Sequence, residues 1–205
     1  GGLSQGFIDC GFEALLLNDV DKTCCETLRR NHSGANVFQG KMEDIDLAGY
    51  GDVDVLLGGV PCQPFSSSGK REGMGDKRGA LILHFCEMVS TLNPRVFLVE
   101  NVKGLVTHNK GETLEFIIGE LGKCGDYNIT HKVLNANDYN VPQKRERLII
   151  VGVHKSIQAS FSYPIEHQYK PVLKDVLVGC PESPGMLYNE EKFNIIFLEN
   201  KKFNS

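Results

Sequence analysis

An α/β fold built on a doubly wound, mostly parallel sheet is predicted by three features of this 205-residue chain. Short apolar runs alternate with longer amphipathic ones, the pattern of βαβ units. Glycine or proline closes many of the runs. Polar or reactive residues follow three of the apolar runs, which is where such sheets bind ligands.

The elements follow in order. Residues 3–10 read as a short helix after Gly1 and Gly2, and "EALLLN", 13–18, as a buried strand. Asp21 caps a helix over "KTCCETLRRNH", whose basic residues come late, where the helix dipole favours them. "DVDVLLGG", 52–59, is a second strand ending in glycines. "GALILHFCEMVSTLNP", 79–94, has helical apolar spacing and stops at Asn93-Pro94. "RVFLVEN", 95–101, is a third strand, and "GETLEFIIGELGKCG", 111–125, a helix with a glycine stop. "YNITHKVLN" and "RLIIVGVH" are two further strands. From about residue 156 the pattern dissolves into a stretch rich in Pro, Ser and Tyr, which reads as a connector into another module. The expected division is therefore 1–155, a catalytic and cofactor-binding domain, and 156–205, a connector. The opening "GGLSQGF" and the closing "LENKKFNS" both read as cut ends of a longer chain.

Apolar residues at 41% and charged residues at 23% describe a globular protein. A net charge of −4 gives no overall basic field, so a polyanion would have to meet a local patch. Seven cysteines form no C-x-x-C pair and no Cys/His cluster with zinc spacing, so no metal is expected. Their odd number, without a signal peptide, points to free thiols in a reducing cytoplasm. No apolar run approaches the roughly 18 residues of a membrane span.

Four stretches carry chemistry. Cys62 sits between Pro61 and Pro64 in "GGVPCQPFS", a stiff turn that exposes a thiol at a strand end, near a following helix able to activate it. The other six cysteines read as inert packing thiols. In "VENVKGL", Glu100 emerges from an apolar strand, where a carboxyl can hold and donate a proton; the plainer reading is an ion-paired edge residue. In "QKRERL", strand alternation puts Arg145 and Arg147 on one face and Lys144 and Glu146 on the other. Two guanidiniums on one face suit a carboxylate or phosphate, although a charge run is more often a solvated face. "SSSGKREGMGDKRG", 66–79, is a linker or a loop that meets a phosphate backbone.

Together these stretches resemble the carbon-5 cytosine DNA methyltransferases. "GGVPCQPFS" is similar to their Pro-Cys-Gln nucleophile motif, "VENVKGL" to their Glu-Asn-Val motif, and "LNANDYNVPQKRERLIIVG" to their Gln-x-Arg-x-Arg motif. "GDKRGALI" fits the short motif between the first two, and the order holds over residues 1 to about 155. The resemblance implies a Rossmann-like S-adenosylmethionine-dependent methyltransferase fold that lacks its first strand. It implies S-adenosylmethionine as methyl donor and duplex DNA as partner. It implies Cys62 as nucleophile on a base flipped out of the stack, Glu100 as its acid partner, and Arg145 with Arg147 holding the base and a phosphate. Gly2, Asp19, Val20, Gly59, Pro61 and Leu81 would line the cofactor, with Asp19 on the ribose hydroxyls. Gln63, Ser66, Ser68, Lys70, Arg78 and Asn101 would face DNA. Val20 stands where the family often has a larger residue stacking on adenine. Lys41, or Asp44 after a small shift, falls where the family has an acidic residue facing the adenine amine. The target-recognition region that follows in the family would lie beyond Ser205.

These features lead to a modification methyltransferase of a bacterium or phage, cytoplasmic there and nuclear in a eukaryote. The alternatives are an inactive fragment or complementing half of such an enzyme, and a transfer-RNA cytosine methyltransferase. A thiol hydrolase would need a histidine base near Cys62, and none of the six histidines sits in such a context.

Overall fold

The computed structural model describes residues 1–60 and 80–178. Helix α1 (Gly2–Asp9) leads to β1 (Leu16–Asp19), α2 (Lys22–Asn31) and β2 (Asn36–Gln39). After a 3-10 turn at Met42–Asp44 come β3 (Val55–Gly58), α3 (Ala80–Leu92), β4 (Val96–Val102) and α4 (Glu112–Gly122). Strands β5 (Tyr127–Asn135) and β6 (Glu146–His154) follow, and α5 (Leu173–Val176) comes last.

Helices α1 to α4 and most of the strands lie where the sequence puts them, while the single turn of α5 falls in the stretch read as a connector. Asp21 caps α2 as expected: its Oδ1 accepts from the Cys24 amide at 2.8 Å, and that bond holds the Asp21 carboxyl below its usual range. Two strands differ. β1 begins later than "EALLLN" suggests, so Asp19 is its last residue rather than the residue after it. β2 was not anticipated, because its four residues, Asn-Val-Phe-Gln, are too few and too polar to show a period.

β1 and β2 form one parallel ladder, and a second sheet has the order β3-β4-β6-β5. β3 and β4 are parallel, as the helix between them requires. β6 runs antiparallel to both β4 and β5. The reason is chain length: only residues 136–145 separate β5 from β6, too few for a crossover back to a parallel strand. Among the described strands, β1, β2, β3 and β5 each keep one unpaired edge.

The core lies where α3 and α4 cover the second sheet. Phe85, Val89, Phe97, Leu121, Leu148 and Ile150 are all but inaccessible there. Phe97 packs edge-on against Phe85 and Tyr127, with centroids at 6.3 and 5.0 Å. The Tyr127 hydroxyl donates to the Pro94 carbonyl at 2.7 Å, and burial pushes its ionisation up to about 12. Cys25, Cys86 and Cys124 are buried packing thiols, and burial pushes the Cys86 thiol up. Cys10 and Cys24 are exposed, so the packing reading fails for those two; each lies at a surface end of its helix.

Gly152 of β6 lies opposite Phe97 of β4. A Cβ there would come within 2.2 Å of the ring, which is walled in by Phe85 and Tyr127. Gly152→Ala is therefore expected to destabilise the fold by about 1–3 kcal/mol. A lower urea midpoint with an unchanged slope is the expected reading. None of the described helices is long and apolar enough to cross a membrane.

Candidate active site

The site is assembled where β4 ends beside the start of β6. Burial alternates along β4, so Phe97, Val99 and Asn101 face the core while Leu98, Glu100 and Val102 face the other way. The antiparallel register sets Arg147 opposite Val102 and Ile149 opposite Glu100. Arg147 and Glu100 are thus diagonal neighbours on one face, within reach of long side chains. The Arg147 Nε lies 2.7 Å from Glu100 Oε1, and the two side chains are 26% and 30% exposed. Glu100 is ion-paired, as the plainer reading of that residue expected, and its partner is one of the two arginines singled out with it.

Arg145 lies just before β6, which begins at Glu146. Pro142 and the 2.7 Å bond from the Gln143 amide to the Val141 carbonyl curl the chain shortly before it. Its backbone amide donates to Asn135 Oδ1 at 3.1 Å, and its carbonyl accepts from the Ala136 amide at 2.9 Å. Its guanidinium is exposed, with no hydrogen bond or ion pair among the described residues.

Glu146 is also placed differently. It does not join Lys144 in a solvated face but takes Lys103 Nζ at 2.7 Å. Two ion pairs, Glu100–Arg147 and Lys103–Glu146, therefore stitch the end of β4 to the start of β6. Opposite charges closing "VENVK" and opening "ERL" were the available signal. It shows only once the two ends are known to meet.

Asn101, expected at the DNA, points inward. It is 8% exposed; its Nδ2 donates to the Val60 carbonyl at 3.0 Å, and its Oδ1 accepts from the Val102 amide at 2.8 Å. A buried amide must be bonded inside the protein, and this one ties β4 to the chain two residues before Cys62. Asn101 is a positioning residue. Asn101→Ala leaves the Val60 carbonyl unsatisfied and is expected to cost about 1–3 kcal/mol, read by thermal or urea unfolding.

The residues expected around the cofactor are divided. Asp19 closes β1, and one carboxylate oxygen accepts from the Asp21 amide at 2.9 Å while the other has no described partner. Its charge holds the Cys24 thiol above its ordinary range. Val20 beside it is 65% exposed. Among the described residues Asp19 thus keeps one carboxylate oxygen unshared beside an exposed apolar side chain. Gly2 opens α1, and Gly59 follows β3; added methyl groups at either would meet nothing within 4 Å. Leu81 packs against the core cluster. Lys41 pairs with Glu43 at 3.5 Å, and Asp44 closes the 3-10 turn. The structure thus brings Val60, Glu100, Asn101 and Arg147 together, whereas Asp19 and Val20 end the separate β1–β2 ladder. Pro61, Cys62, Gln63, Ser66, Ser68, Lys70 and Arg78 lie outside the described residues. Among the described residues no cluster of three or more His, Cys, Asp or Glu is placed to hold a metal ion.

The family profile of the C-5 cytosine-specific DNA methylases matches residues 1–205. The Type II methyltransferase M.PspPI of Psychrobacter sp. (strain TA137) is 42% identical over 206 residues, covering 96% of this chain and 50% of that protein. The Type II methyltransferase M.Eco47II of Escherichia coli is 40% identical, covering 96% and 49%. The chain thus spans about half the length of these curated relatives. A crystal structure described as a DNA modification methyltransferase of an E. coli prophage superposes with a TM-score of 0.74 at 28% identity, covering 89% of this chain and 53% of that one. DNMT2 of Spodoptera frugiperda, at a TM-score of 0.64 and 22% identity over 80% of this chain and 50% of its own, shares the fold. With the profile matched from Gly1 to Ser205, and with two curated relatives at 40% identity or more, the chain belongs to the C-5 cytosine-specific DNA methylase family.

Proposed function

We propose that this chain carries the chemical half of a modification enzyme that moves a methyl group from S-adenosylmethionine to carbon-5 of cytosine in duplex DNA. The Glu100–Arg147 ion pair beside the anchored strand end at Val60 is the observation that carries this reading. Cytosine carbon-5 is a poor nucleophile until something adds to carbon-6. The Cys62 thiolate would form a sulfur–carbon-6 bond and push electron density toward carbon-5 and ring nitrogen 3. Arg147 occupies Oε1 of Glu100 and leaves the other oxygen able to meet the base edge. There it would accept from the exocyclic amine and, when protonated, donate to nitrogen 3. S-adenosylmethionine would supply the electrophilic methyl group. Loss of the carbon-5 proton to a base then expels Cys62 and restores the ring.

Asp19 would hold the ribose diol and Val20 the adenine, with Gly2, Gly59, Pro61 and Leu81 along the remainder. Arg145, its exposed guanidinium without a partner among the described residues, would meet the flipped base or a flanking phosphate. Gln63, Ser66, Ser68, Lys70 and Arg78 would meet the DNA. Residues 1–155 would form the catalytic unit and 156–205 the connector to a target-reading region, in a bacterial cytoplasm. The names of M.PspPI and M.Eco47II suit a place in restriction–modification.

The test is incubation of the full-length gene product with tritiated S-adenosylmethionine and cytosine-containing duplex DNA. Label in the DNA is expected. No label in DNA, or label only in transfer RNA offered alongside, overturns the reading.

A further inference from the structure

The turn that carries Arg145 is held from two sides. On the inner side, Asn135 Oδ1 accepts from the Arg145 amide at 3.1 Å, and the Ala136 amide donates back to the Arg145 carbonyl at 2.9 Å. The Val141 amide closes on the Ala136 carbonyl at 3.2 Å. On the outer side, the irregular segment 164–171 crosses the same 3-10 turn, Ala136–Tyr139, and is bonded to it through Pro164, His167, Lys170 and Pro171. The His167 amide donates to the Asp138 carbonyl at 2.9 Å, and Lys170 Nζ to Asp138 Oδ1 at 2.5 Å. The Tyr139 hydroxyl donates to the Pro164 carbonyl at 3.4 Å. Asn137 belongs to both sides: its Nδ2 donates to the Val141 carbonyl at 3.2 Å and to the Pro171 carbonyl at 2.7 Å.

Holding an irregular segment in one conformation costs roughly 1–2 kcal/mol per residue, and partly exposed ion pairs such as Lys170–Asp138 recover little of it. Elsewhere Glu166 pairs with Lys132 of β5 at 3.6 Å, and the neighbouring Tyr163 hydroxyl donates to the Ile149 carbonyl at 3.1 Å. Four bonds go to the one turn whose far end is Arg145. An amide whose two hydrogens go to two different segments makes their positions interdependent.

We propose that Asn137 and Asp138 are positioning residues of the methyl-transfer site, through which segment 164–171 sets the place of Arg145. Strain applied at Pro171, by whatever the following chain grips, reaches the Arg145 backbone through Asn137 and the Asn135–Ala136 pair of bonds. The inference rests on the proposed role of Arg145 at the flipped base.

Three variants of the full-length protein test it. Asn137→Asp keeps the size and removes the donors. Lys170→Met removes the cation from Asp138 without touching the turn, and Lys170→Arg restores a cation. Hydrogen exchange at the Arg145 amide, which needs no activity, is the first measurement. Asn137→Asp is expected to speed it about ten-fold and Lys170→Met about two-fold, with β4 unchanged, while Lys170→Arg matches the wild type. The second measurement is kinetic. The two disruptive variants should lower kcat at saturating DNA in the same order, about ten-fold and about two-fold, and leave KM for S-adenosylmethionine unchanged. Wild-type exchange at Arg145 in both variants overturns the proposal. So does faster exchange spread equally through β4, which marks a merely structural role. A wild-type enzyme without methyl transfer would overturn the proposed function, and the exchange result would still report on the coupling.

Discussion

Cys62→Ser is expected to abolish methyl transfer to DNA while leaving thermal unfolding unchanged. The chemistry demands a nucleophile that adds to carbon-6 and later departs. A thiol meets both needs: a few per cent is already thiolate at neutral pH, and sulfur is strongly nucleophilic and a good leaving group. A serine hydroxyl of almost the same size is un-ionised there and has no comparable activity. The assay is label transfer by wild type and variant at equal folded concentration. A serine variant that still transfers label would move the nucleophile elsewhere, and the exposed thiols of Cys10 and Cys24 would be examined next.

Glu100→Gln is expected to lower kcat by about 10²–10⁴-fold, the usual share of a positioned acid–base group. Glutamine keeps the size and can still accept from an amine, but it cannot hand a proton to ring nitrogen 3. It also leaves the Arg147 guanidinium facing a neutral group at the site of the present 2.7 Å contact. Both side chains are more than a quarter exposed, so water takes up much of the lost pairing. The stability cost should stay within about 1 kcal/mol. The expected pattern is therefore a large fall in kcat with a small shift in the unfolding midpoint. A large fall in stability instead would show that the pair is a structural brace.

The sequence told most where the physics is local. Asp21 as a helix cap, the Asn93-Pro94 stop, and the apolar runs of β3, β4 and β6 each follow from a few adjacent residues, and each stands where expected. It told least where the outcome depends on what two distant segments do when they meet. "QKRERL" reads as four alternating charges, but Pro142 and the grip of Asn135 delay the strand and put Arg145 and Arg147 in different settings. Asn101 reads as a polar residue beside a catalytic one and so as a DNA contact. Only the alternation within β4 shows that neighbours on a strand face opposite ways. The Lys103–Glu146 pair spans a separation no local pattern reports. Asp19 and Val20 were legible as residue types, though their placement on a ladder of their own was not.

The edges of β1, β2, β3 and β5 that no other described strand covers have a practical consequence. An unpaired strand edge is a row of amides and carbonyls ready to accept another chain, and native proteins usually cover or blunt such edges. Three of the four described edge segments, Leu16–Asp19, Asn36–Gln39 and Val55–Gly58, hold no proline and no lysine to discourage a newcomer, whereas Tyr127–Asn135 carries Lys132. A protein with this topology is a natural receptor for an added strand. Supplied in cis or as a separate peptide, an extended apolar segment would add to either sheet by main-chain bonds. Without one, the same edges would draw copies of the chain to one another. Solubility during production would then depend less on the net charge of −4 than on whether those rows are occupied.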